Sequence, residues 1–398
     1  MTSAPRLTQG AVHPLRDLTL RTKQRDPRIR PEEKFTYIDV SSISSESLRI
    51  VQTSTLLGSD APSRARKSVQ AGDVLFATVR PSLRRIALVP EELDGAICST
   101  AFTVLRPNPA VLDSNFLYFQ AISEQFVAAV SALQRGSSYP AVSDSDVLSQ
   151  TLTIPPLEEQ RRIARILSTI DTATRANRSL LSATRHFKAS YTRHFLEGQN
   201  HSANVRLGNM DVSIETGPFG SQLHAHEYAL QGVRVLNPMH LGENGINPDA
   251  NPVYISEATA DRLSRHRLEE GDVVVPRRGD LSRYALIRGE LVGQLCGTGS
   301  IKLRFSDSRI SSAYFALYFG SEPSQAYLRD EATGTIMPNI SPRVLEGLPV
   351  VVPPMSEQLQ VVAGWNAIDH YERAVQIVLE RDQSVFDSCL SSLLGAAA

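Results

Sequence analysis

The sequence predicts a mixed α/β (α+β) fold with two pseudo-twofold-related globular domains, separated by an antiparallel coiled coil of two long helices. Three observations predict this architecture. The chain of 398 residues repeats itself at about half its length, each repeat opens with short apolar runs typical of strands, and each repeat closes with a long helical pattern. Such a period is far too long for a solenoid, so each copy holds at least one domain.

The repeat is clearest where the two long helices begin. The stretches IPPLEEQRRIARIL and VPPMSEQLQVVAGW place Gln160 and Gln358 198 positions apart. Further pairs at this spacing are Gly136 and Gly334, Pro140 and Pro338, Ser143 and Ser341, Cys98 and Cys296, Thr100 and Thr298, and Leu105-Arg106 and Leu303-Arg304. The predicted boundaries are 1–153 for the first globular domain, 154–204 for the first long helix, 205–351 for the second globular domain and 352–398 for the second long helix.

Composition is that of an ordinary globular protein, with 41% hydrophobic and 21% charged residues. Three cysteines without a CxxC pair indicate a reducing, cytoplasmic setting, and we expect the repeat-equivalent Cys98 and Cys296 in the core. No run of about 18 apolar residues is present, so we expect no membrane span. The N-terminus lacks the hydrophobic core of a signal peptide.

Within each globular domain, a Gly-Asp turn precedes an apolar run, in GDVLFATV and in GDVVVP. We expect further strands in RIALVP, FTVLRP, YALIRG and SIKLRF. Apolar residues at helical spacing predict one helix over 115–133 and another over 312–328. The segments GSSYPAVS and GTIMPNIS are expected to connect the domains to the long helices.

The first long helix is predicted from Leu157 to Glu197, a run without Pro or Gly, with Gly198 as its stop. The second runs to Gly395 and contains Gly364, a weak point near its start. A helix of about 40 residues spans roughly 60 Å, too long for one small domain. The apolar stripe of each helix therefore needs a partner, either the other helix or its own globular domain.

Charge favours pairing of the two helices. The net charge of −1 argues against a uniformly basic nucleic-acid binder, but the distribution is uneven. Residues 151–204 hold 8 Lys+Arg and 4 Asp+Glu, whereas residues 351–398 hold 2 and 6, so the segments carry +4 and −4. Two diverged domains about a pseudo-dyad suit duplex DNA, on which half-sites one turn apart lie about 34–36 Å from each other.

The doubled openings PPLEEQRRI and PPMSEQLQV, with GDVLFATVRPSLRRIAL, GAICSTAFTVLRP, GPFGSQL and VLNPMHLGENGI, resemble the specificity (S) subunits of type I restriction–modification systems. The resemblance covers essentially the whole chain; each motif is weak alone and the combination is specific. It implies a phage-defence subunit whose two target-recognition domains each read one half of a split double-stranded DNA target. The helical rod would set the gap and dock two methyltransferase (M) subunits, and motor-nuclease (R) subunits would join them.

The resemblance also implies that the chain is not an enzyme by itself, and that S-adenosylmethionine, ATP and Mg bind the partner subunits. The sequence has no Asn-Pro-Pro-aromatic or Asp-Pro-Pro-Tyr methylation motif and no GxxxxGK[ST] phosphate loop. His224 and His226 lack further ligands at metal spacing, and we expect no metal site there.

Candidate DNA contacts are Lys and Arg for phosphates, and Arg, Asn and Gln for base edges. The candidates are Arg64, Arg66, Lys67, Arg80, Arg84 and Arg85 in the first domain, and Gln222, Asn237, His240, Arg277, Arg278 and Arg283 in the second. For the arginines, the alternative is a solvated turn in which they pair with carboxylates. For Asn237, the alternative is that it caps a turn. Candidate subunit-interface residues on the first long helix, otherwise a solvated face, are Arg161, Arg165, Arg175 and Arg178.

Three other functions stay open from the sequence alone. The chain could be the specificity subunit of a type IIB-like system, whose partner fuses methylase and nuclease. A self-sufficient nuclease or methyltransferase would bind its own cofactor or metal. A coiled-coil adaptor without a DNA role would leave the Arg-rich turns unexplained.

Overall fold

The computed structural model divides into two compact units, Met1–Ser179 with Ile377–Ala398 (unit 1) and Leu180–Gln376 (unit 2). Both divisions fall inside a long helix, so each unit holds one part of each long helix. The residues that the structure describes are 12–136, 138–197, 204–242, 245–332 and 339–395.

Unit 1 is built on small, mostly antiparallel sheets joined by short turns. Its strands are Val12–Pro14 (β1), Thr19–Leu20 (β2), Lys34–Ile38 (β3), Ser54–Leu57 (β4), Ala65–Ser68 (β5), Val74–Ala77 (β6), Ile86–Leu88 (β7), Ile97–Ser99 (β8), Phe102–Pro107 (β9) and Thr151–Thr153 (β10). They pair in the orders β1-β10, β2-β9-β6-β7 and β4-β3-β8-β5. The pair β3–β8 is parallel, with Ile38 opposite Cys98.

Unit 2 repeats most of this arrangement and adds a two-stranded sheet. Its strands are Asn204–Arg206 (β11), Val212–Thr216 (β12), Tyr228–Ala229 (β13), Val233–Leu236 (β14), Leu241–Gly242 (β15), Gly245–Ile246 (β16), Tyr254–Ile255 (β17), Val273–Pro276 (β18), Ala285–Leu286 (β19), Leu295–Cys296 (β20), Ser300–Phe305 (β21) and Pro349–Val351 (β22). The orders are β11-β22, β12-β21-β18-β19, β13-β17-β14-β20 and β15-β16. The pair β14–β20 is parallel with Leu236 opposite Cys296, which is the β3–β8 register moved by 198 residues.

The helices are Leu15–Leu18 (α1), Ser114–Ile122 (α2), Glu124–Ser131 (α3), Asp144–Leu148 (α4), Leu157–Thr192 (α5), Glu257–Arg262 (α6), Ser312–Phe319 (α7), Glu322–Glu331 (α8), Pro342–Gly347 (α9) and Met355–Gly395 (α10). A π-helical turn, Arg193–Glu197, continues α5. The single helix expected over 115–133 is wrong, because Ser123 is extended and its side chain accepts a hydrogen bond from the Phe126 N–H. A break at Gly320 and Ser321 likewise separates α7 from α8.

The two Gly-Asp turns build the same buried ion pair. Gly72 and Gly271 have φ of +85° and +87°, a conformation that favours glycine. The following Asp73 is almost fully buried and accepts two hydrogen bonds from Arg106, at 2.8 and 2.7 Å. Asp272 accepts from Arg304 in the same way, at 2.7 and 2.8 Å. The repeated motif is therefore part of the scaffold.

Cys98 and Cys296 confirm the expectation that they are small core residues. Both side chains are buried. Burial raises the pKa of each thiol to about 12, so neither is a reactive thiolate at neutral pH.

In both units a part of α5 packs against a part of α10. In unit 2, Lys188 Nζ lies 2.5 Å from Asp369 Oδ1, and Arg185 Nε lies 3.0 Å from Glu372 Oε1. The partner's number falls as the residue number rises, so the helices are antiparallel. In unit 1, Asn177 Nδ2 donates to Asp382 Oδ2 at 2.8 Å. Leu390 and Leu394 of α10 join the unit 1 core, which contains Ile163 and Leu167 of α5.

Basic side chains of α5 thus pair with acidic side chains of α10, and the predicted antiparallel coiled coil is confirmed. No helix in the described part of the chain has the length and apolarity needed to cross a membrane.

The doubled PPxxEQ stretch anchors the start of each long helix. Gln160 is fully buried; its Nε2 donates to Val111 O and Pro155 O, and its Oε1 accepts from the Asp113 N–H, each at 2.9 Å. Gln358 is equally buried and repeats the pattern. Its Nε2 donates to Arg309 O and Pro353 O, and its Oε1 accepts from the Ser311 N–H.

Candidate nucleic-acid interface

The turn that follows β6 in unit 1 is conformationally strained. Arg80 and Arg84 have φ of +49° and +53° and flank a 3₁₀ turn, Pro81–Leu83. Non-glycine residues in this region cost free energy, and such strain clusters at functional sites. The guanidinium of Arg80 lies over the ring of Tyr139, 5.8 Å from its centroid, and both side chains are exposed.

The other two arginines of this turn bind backbone carbonyls inside unit 1. Arg84 Nη2 donates to Ile122 O at 2.6 Å. Arg85 Nη1 donates to Val40 O at 3.3 Å and to Ile43 O. Among the three arginines predicted in this turn, Arg80 is therefore the one presented to solvent.

The SRARK stretch divides in the same manner. Lys67 donates to Phe102 O at 2.7 Å and to Asp144 Oδ2 at 2.5 Å. Arg66 pairs with Asp26 at 3.2 Å. Arg64 is exposed, and its guanidinium has no bonding partner among the described residues. Only Arg64 of this stretch is thus available to a ligand without first losing an internal contact.

In unit 2 the equivalent turn follows β18. Arg283 Nε donates to Asp280 Oδ2 at 2.9 Å, and its Nη1 contacts Leu241 O at 3.5 Å. Leu241 lies 198 positions after Ile43, the acceptor of Arg85. Arg85 and Arg283 therefore form the same hydrogen bond between this turn and the loop after the parallel strand.

The exposed arginines of the two turns do not occupy equivalent positions. The Thr78 N–H donates to Ala101 O at 2.8 Å, and the Arg277 N–H donates to Gly299 O at 2.7 Å. Arg277 and Arg278 thus stand where unit 1 has Thr78 and Val79. The two turns therefore share the internal arginine, Arg85 or Arg283, and differ in the position of the exposed one, Arg80 or Arg278.

Four loops of unit 2 meet at the carboxyl ends of the parallel strands β14 and β20. We call them the loop platform, which comprises residues 217–219, 237–239, 277–279 and 297–299. The Gly217 N–H donates to Ser300 O at 2.9 Å, and a Cβ added to Gly217 would lie 2.0 Å from Gly297 O. Thr298 Oγ1 donates to Pro218 O at 2.7 Å, and the Gly297 N–H donates to Leu236 O at 3.0 Å. These contacts, together with the bond from the Arg277 N–H to Gly299 O, fix the four loops to one another.

The loop platform presents one basic and two large apolar side chains to solvent. Arg278 is exposed, and Phe219 and Met239 are 56% and 55% exposed. Sequence reasoning missed Phe219, Met239 and Tyr139 of unit 1. The available signal was an aromatic residue between Pro218 and Gly220, in a segment too polar to bury it.

The weaker candidates of unit 2 are placed less favourably for a ligand. His240 is fully buried; its Nδ1 accepts from the Asn237 N–H and its Nε2 bonds to Asn251 O, both at 3.0 Å. Burial lowers the pKa of His240. Asn237 Oδ1 is buried and has no partner in the described part of the chain. Gln222 is half-buried, and its backbone carbonyl oxygen accepts a hydrogen bond from Arg262 Nη1.

His240 is a structural residue, because unit 1 has an equivalent acceptor at the matching position. There the Asp39 N–H donates to Ser42 Oγ at 3.0 Å, and both residues lie 198 positions earlier. His240 therefore holds this turn from inside and is not exposed to a ligand.

The four candidate interface arginines of α5 also differ in their contacts. Arg161 and Arg165 are exposed and have no side-chain partner among the described residues. Arg175 pairs with Asp171 at 3.1 Å. Arg178 is half-buried and contacts Gln383 Oε1 at 3.5 Å.

Both long helices also expose apolar residues at heptad spacing. In unit 2, these are Leu180 and Phe187 of α5 and Tyr371 of α10. In unit 1, Val378 and Val385 of α10 are exposed. A spacing of seven residues places side chains on one helix face, which is the pattern of a surface that binds further helices.

Among the described residues, no group of three His, Cys, Asp or Glu side chains is placed to hold a metal ion. The rings of His224 and His226 stack 5.5 Å apart.

Comparison with known sequences finds similarity to specificity proteins. Residues 20–183 match the family model of the type I restriction modification DNA specificity domain. Over 114 residues the chain is 32% identical to the type I restriction enzyme HindI specificity subunit of Haemophilus influenzae. That alignment covers 28% of this chain and 25% of the relative, so the match spans about a quarter of the relative's length.

Solved structures match over nearly the full chain. The HsdS subunit from Thermoanaerobacter tengcongensis is 27% identical, with a TM-score of 0.50 over 100% of this chain and 99% of that one. A chain from a structural study of complex assembly and conformational transition of the type I R-M system is 26% identical, with a TM-score of 0.56 over 96% and 97%. The type I S subunit from M. genitalium has a TM-score of 0.59 over 99% of both chains; at 17% identity it supports the fold alone.

Proposed function

The chain belongs to the specificity subunits of type I restriction–modification systems, and from this premise we propose that it reads a bipartite DNA target, one half with each unit. In this role it is a non-catalytic recognition subunit. The observation that carries the proposal is one scaffold bearing two different sets of exposed side chains. The Asp73–Arg106 and Asp272–Arg304 pairs recur in both units.

The exposed sets suit nucleic acid, and they differ between the units. Unit 1 offers Arg64 and Arg80, the latter stacked on Tyr139. Unit 2 offers Arg278, with Phe219 and Met239 exposed in the same loop platform. Arginine binds phosphates and guanine edges, and aromatic or apolar side chains contact bases. Two unlike sets of readers correspond to two unlike half-sites.

We further propose that the paired long helices set the gap between half-sites and dock two methyltransferase subunits, with motor-nuclease subunits joining the assembly. Support comes from the lengths of α5 and α10, which have 36 and 41 residues, and from their exposed heptad positions. Arg161 and Arg165 add unpaired positive charge to the same element. S-adenosylmethionine, ATP and Mg would bind those partners.

Methylome sequencing tests this function. A strain that expresses the chain with its neighbouring genes is compared with one that lacks only this chain. We expect a split methylated motif in the first strain and its loss in the second, with recovery when the chain is supplied again. Persistence of the same motif without the chain would assign recognition to another protein. Methyl transfer or DNA cleavage by the purified chain alone would contradict the non-catalytic role.

A further inference from the structure

We propose that Arg278 is the residue with which unit 2 reads a guanine in its half of the target. The proposal rests on the DNA-recognition function proposed above, and it names one side chain and one base for that function. Four features of the loop platform carry it.

First, the backbone that holds Arg278 is fixed from two sides. The neighbouring Arg277 N–H donates to Gly299 O at 2.7 Å, and Arg277 O accepts from the Ile340 N–H at 2.8 Å. Arg278 itself forms an isolated antiparallel bridge with Asn339. A reader whose backbone is already placed loses little conformational freedom when it binds.

Second, the guanidinium of Arg278 is free among the described residues, whereas the nearest carboxylate along the chain is already occupied. It is exposed and has no hydrogen-bond or ion-pair partner in the part of the chain that the structure describes. Asp280, the nearest carboxylate along the chain, accepts from Arg283 Nε at 2.9 Å and from Ser282 Oγ at 2.6 Å. Arg283 therefore pairs with a carboxylate of its own turn, as the alternative interpretation expects, whereas Arg278 does not.

Third, bare glycine backbone leaves room beside this side chain. Gly299 has φ of +84°, and a Cβ there would lie 3.5 Å from Arg278 Nε and 3.4 Å from Pro238 Cγ. The next residue after Pro238 is the exposed Met239, and Pro218, the acceptor of Thr298 Oγ1, precedes the exposed Phe219. Arg278 thus stands beside Gly299, in the same loop platform as these two exposed apolar side chains.

Fourth, the two units differ at this position. Val79 occupies the Arg278 position in unit 1, as the matched hydrogen bonds of Thr78 and Arg277 establish. The scaffold therefore does not require arginine here. A residue that varies on an unchanged scaffold, and that lies at the carboxyl ends of the parallel strands, is placed to distinguish one half-site from the other.

The chemistry of the guanidinium selects the base. Its planar fork donates two parallel hydrogen bonds to O6 and N7 of guanine in the major groove, a pattern that the other bases do not offer. The exposed apolar side chains of the same loop platform suit the C5-methyl group of a neighbouring thymine. Lysine keeps the charge but lacks the fork, so the two substitutions R278A and R278K separate base reading from phosphate binding.

The test compares methylation motifs of assembled complexes that contain the wild-type chain, R278A, R278K or R288A. Arg288 is the matched control, because it is exposed, carries the same charge and lies in unit 2 at the opposite end of the β18–β19 pair. We expect R278A and R278K to lose discrimination at one guanine in one half-site by roughly 5- to 150-fold. We expect R288A to keep the wild-type motif.

Each result has a distinct meaning. An unchanged motif in R278A, with a split motif in wild type, overturns the assignment of Arg278 and leaves the proposed function intact. Uniform weakening in R278A with full activity in R278K also overturns it, because that is a phosphate contact. Absence of any motif that depends on the wild-type chain overturns the proposed function itself. Co-purification of each variant with its partners verifies that the variants fold.

Discussion

At the residue scale, Gln160 and Gln358 explain why the chain carries the same stretch twice. Each side-chain amide bonds three backbone groups: one of the residue five positions earlier and two in the loop that precedes α2 or α7. A buried amide with this pattern cannot be replaced by a carboxylate, because two of the partners are carbonyl acceptors. The sequence predicts a helix start at this place but not the bonds, since their partners lie 47 and 49 residues away.

We expect Gln160→Ala to lower the free energy of unfolding by about 1–3 kcal/mol for each buried group left without a partner. Thermal unfolding of the full chain measures the change. The matched control is Gln125→Ala, which removes the same side chain from an exposed position of α3. Equal stability of the two variants would show that the Gln160 bonds do not anchor the helix.

The arginines mark the limit of sequence reasoning at this scale. Arg84, Arg85 and Arg283 were reasonable DNA contacts because arginine in a turn is usually solvated. The acceptors of Arg84 and Arg85, and one of the two acceptors of Arg283, are carbonyl oxygens of residues about 40 positions away, which no local pattern identifies. Arg80 and Arg278 stay candidates because their side chains remain exposed.

At the scale of the element, Gly364 shows how the long helices meet. In the sequence it is a weak point of the second helix, because glycine is a poor helix former. In the structure, Tyr191 of α5 packs on it: a Cβ at position 364 would lie 2.1 Å from the Tyr191 hydroxyl and 2.7 Å from its Cζ. The hydroxyl also reaches Val361 O at 3.3 Å. Glycine therefore allows an aromatic contact between the helices.

We expect Gly364→Ala to destabilise unit 2 although alanine is the better helix former. In a Tyr191→Ala background the same substitution should stabilise by about 1 kcal/mol, because only the helix propensity then counts. Chemical unfolding of the four proteins in this cycle measures both changes. Stabilisation by Gly364→Ala in the presence of Tyr191 would contradict the packing described here.

Elements with a strong pattern were predictable, and those that depend on tertiary contacts were not. The Gly-Asp strands and the antiparallel pairing of oppositely charged helices followed from periodicity and charge. The break between α2 and α3 did not, because the apolar spacing continues across Ser123. The loop platform was not predictable either, since its four segments are distant in sequence and are joined by backbone hydrogen bonds and by the Thr298 hydroxyl.

At the scale of the whole molecule, duplication is the organising fact. The offset of 198 residues recurs in the parallel strand register, the buried glutamines and the arginine ties. What changes between the copies is the set of exposed side chains at the strand ends. A duplicated scaffold with diverged surfaces accounts for a target of two unlike halves.

An exchange of one domain tests this account most directly. Residues 1–153 are replaced by the corresponding domain of another specificity subunit that recognises a different half-site, and the methylated motif of the assembled complex is sequenced. If the two units read DNA independently, we expect a new sequence in one half of the motif, while the half read by unit 2 stays the same. A change in both halves would contradict it, because the two units would then not read DNA independently.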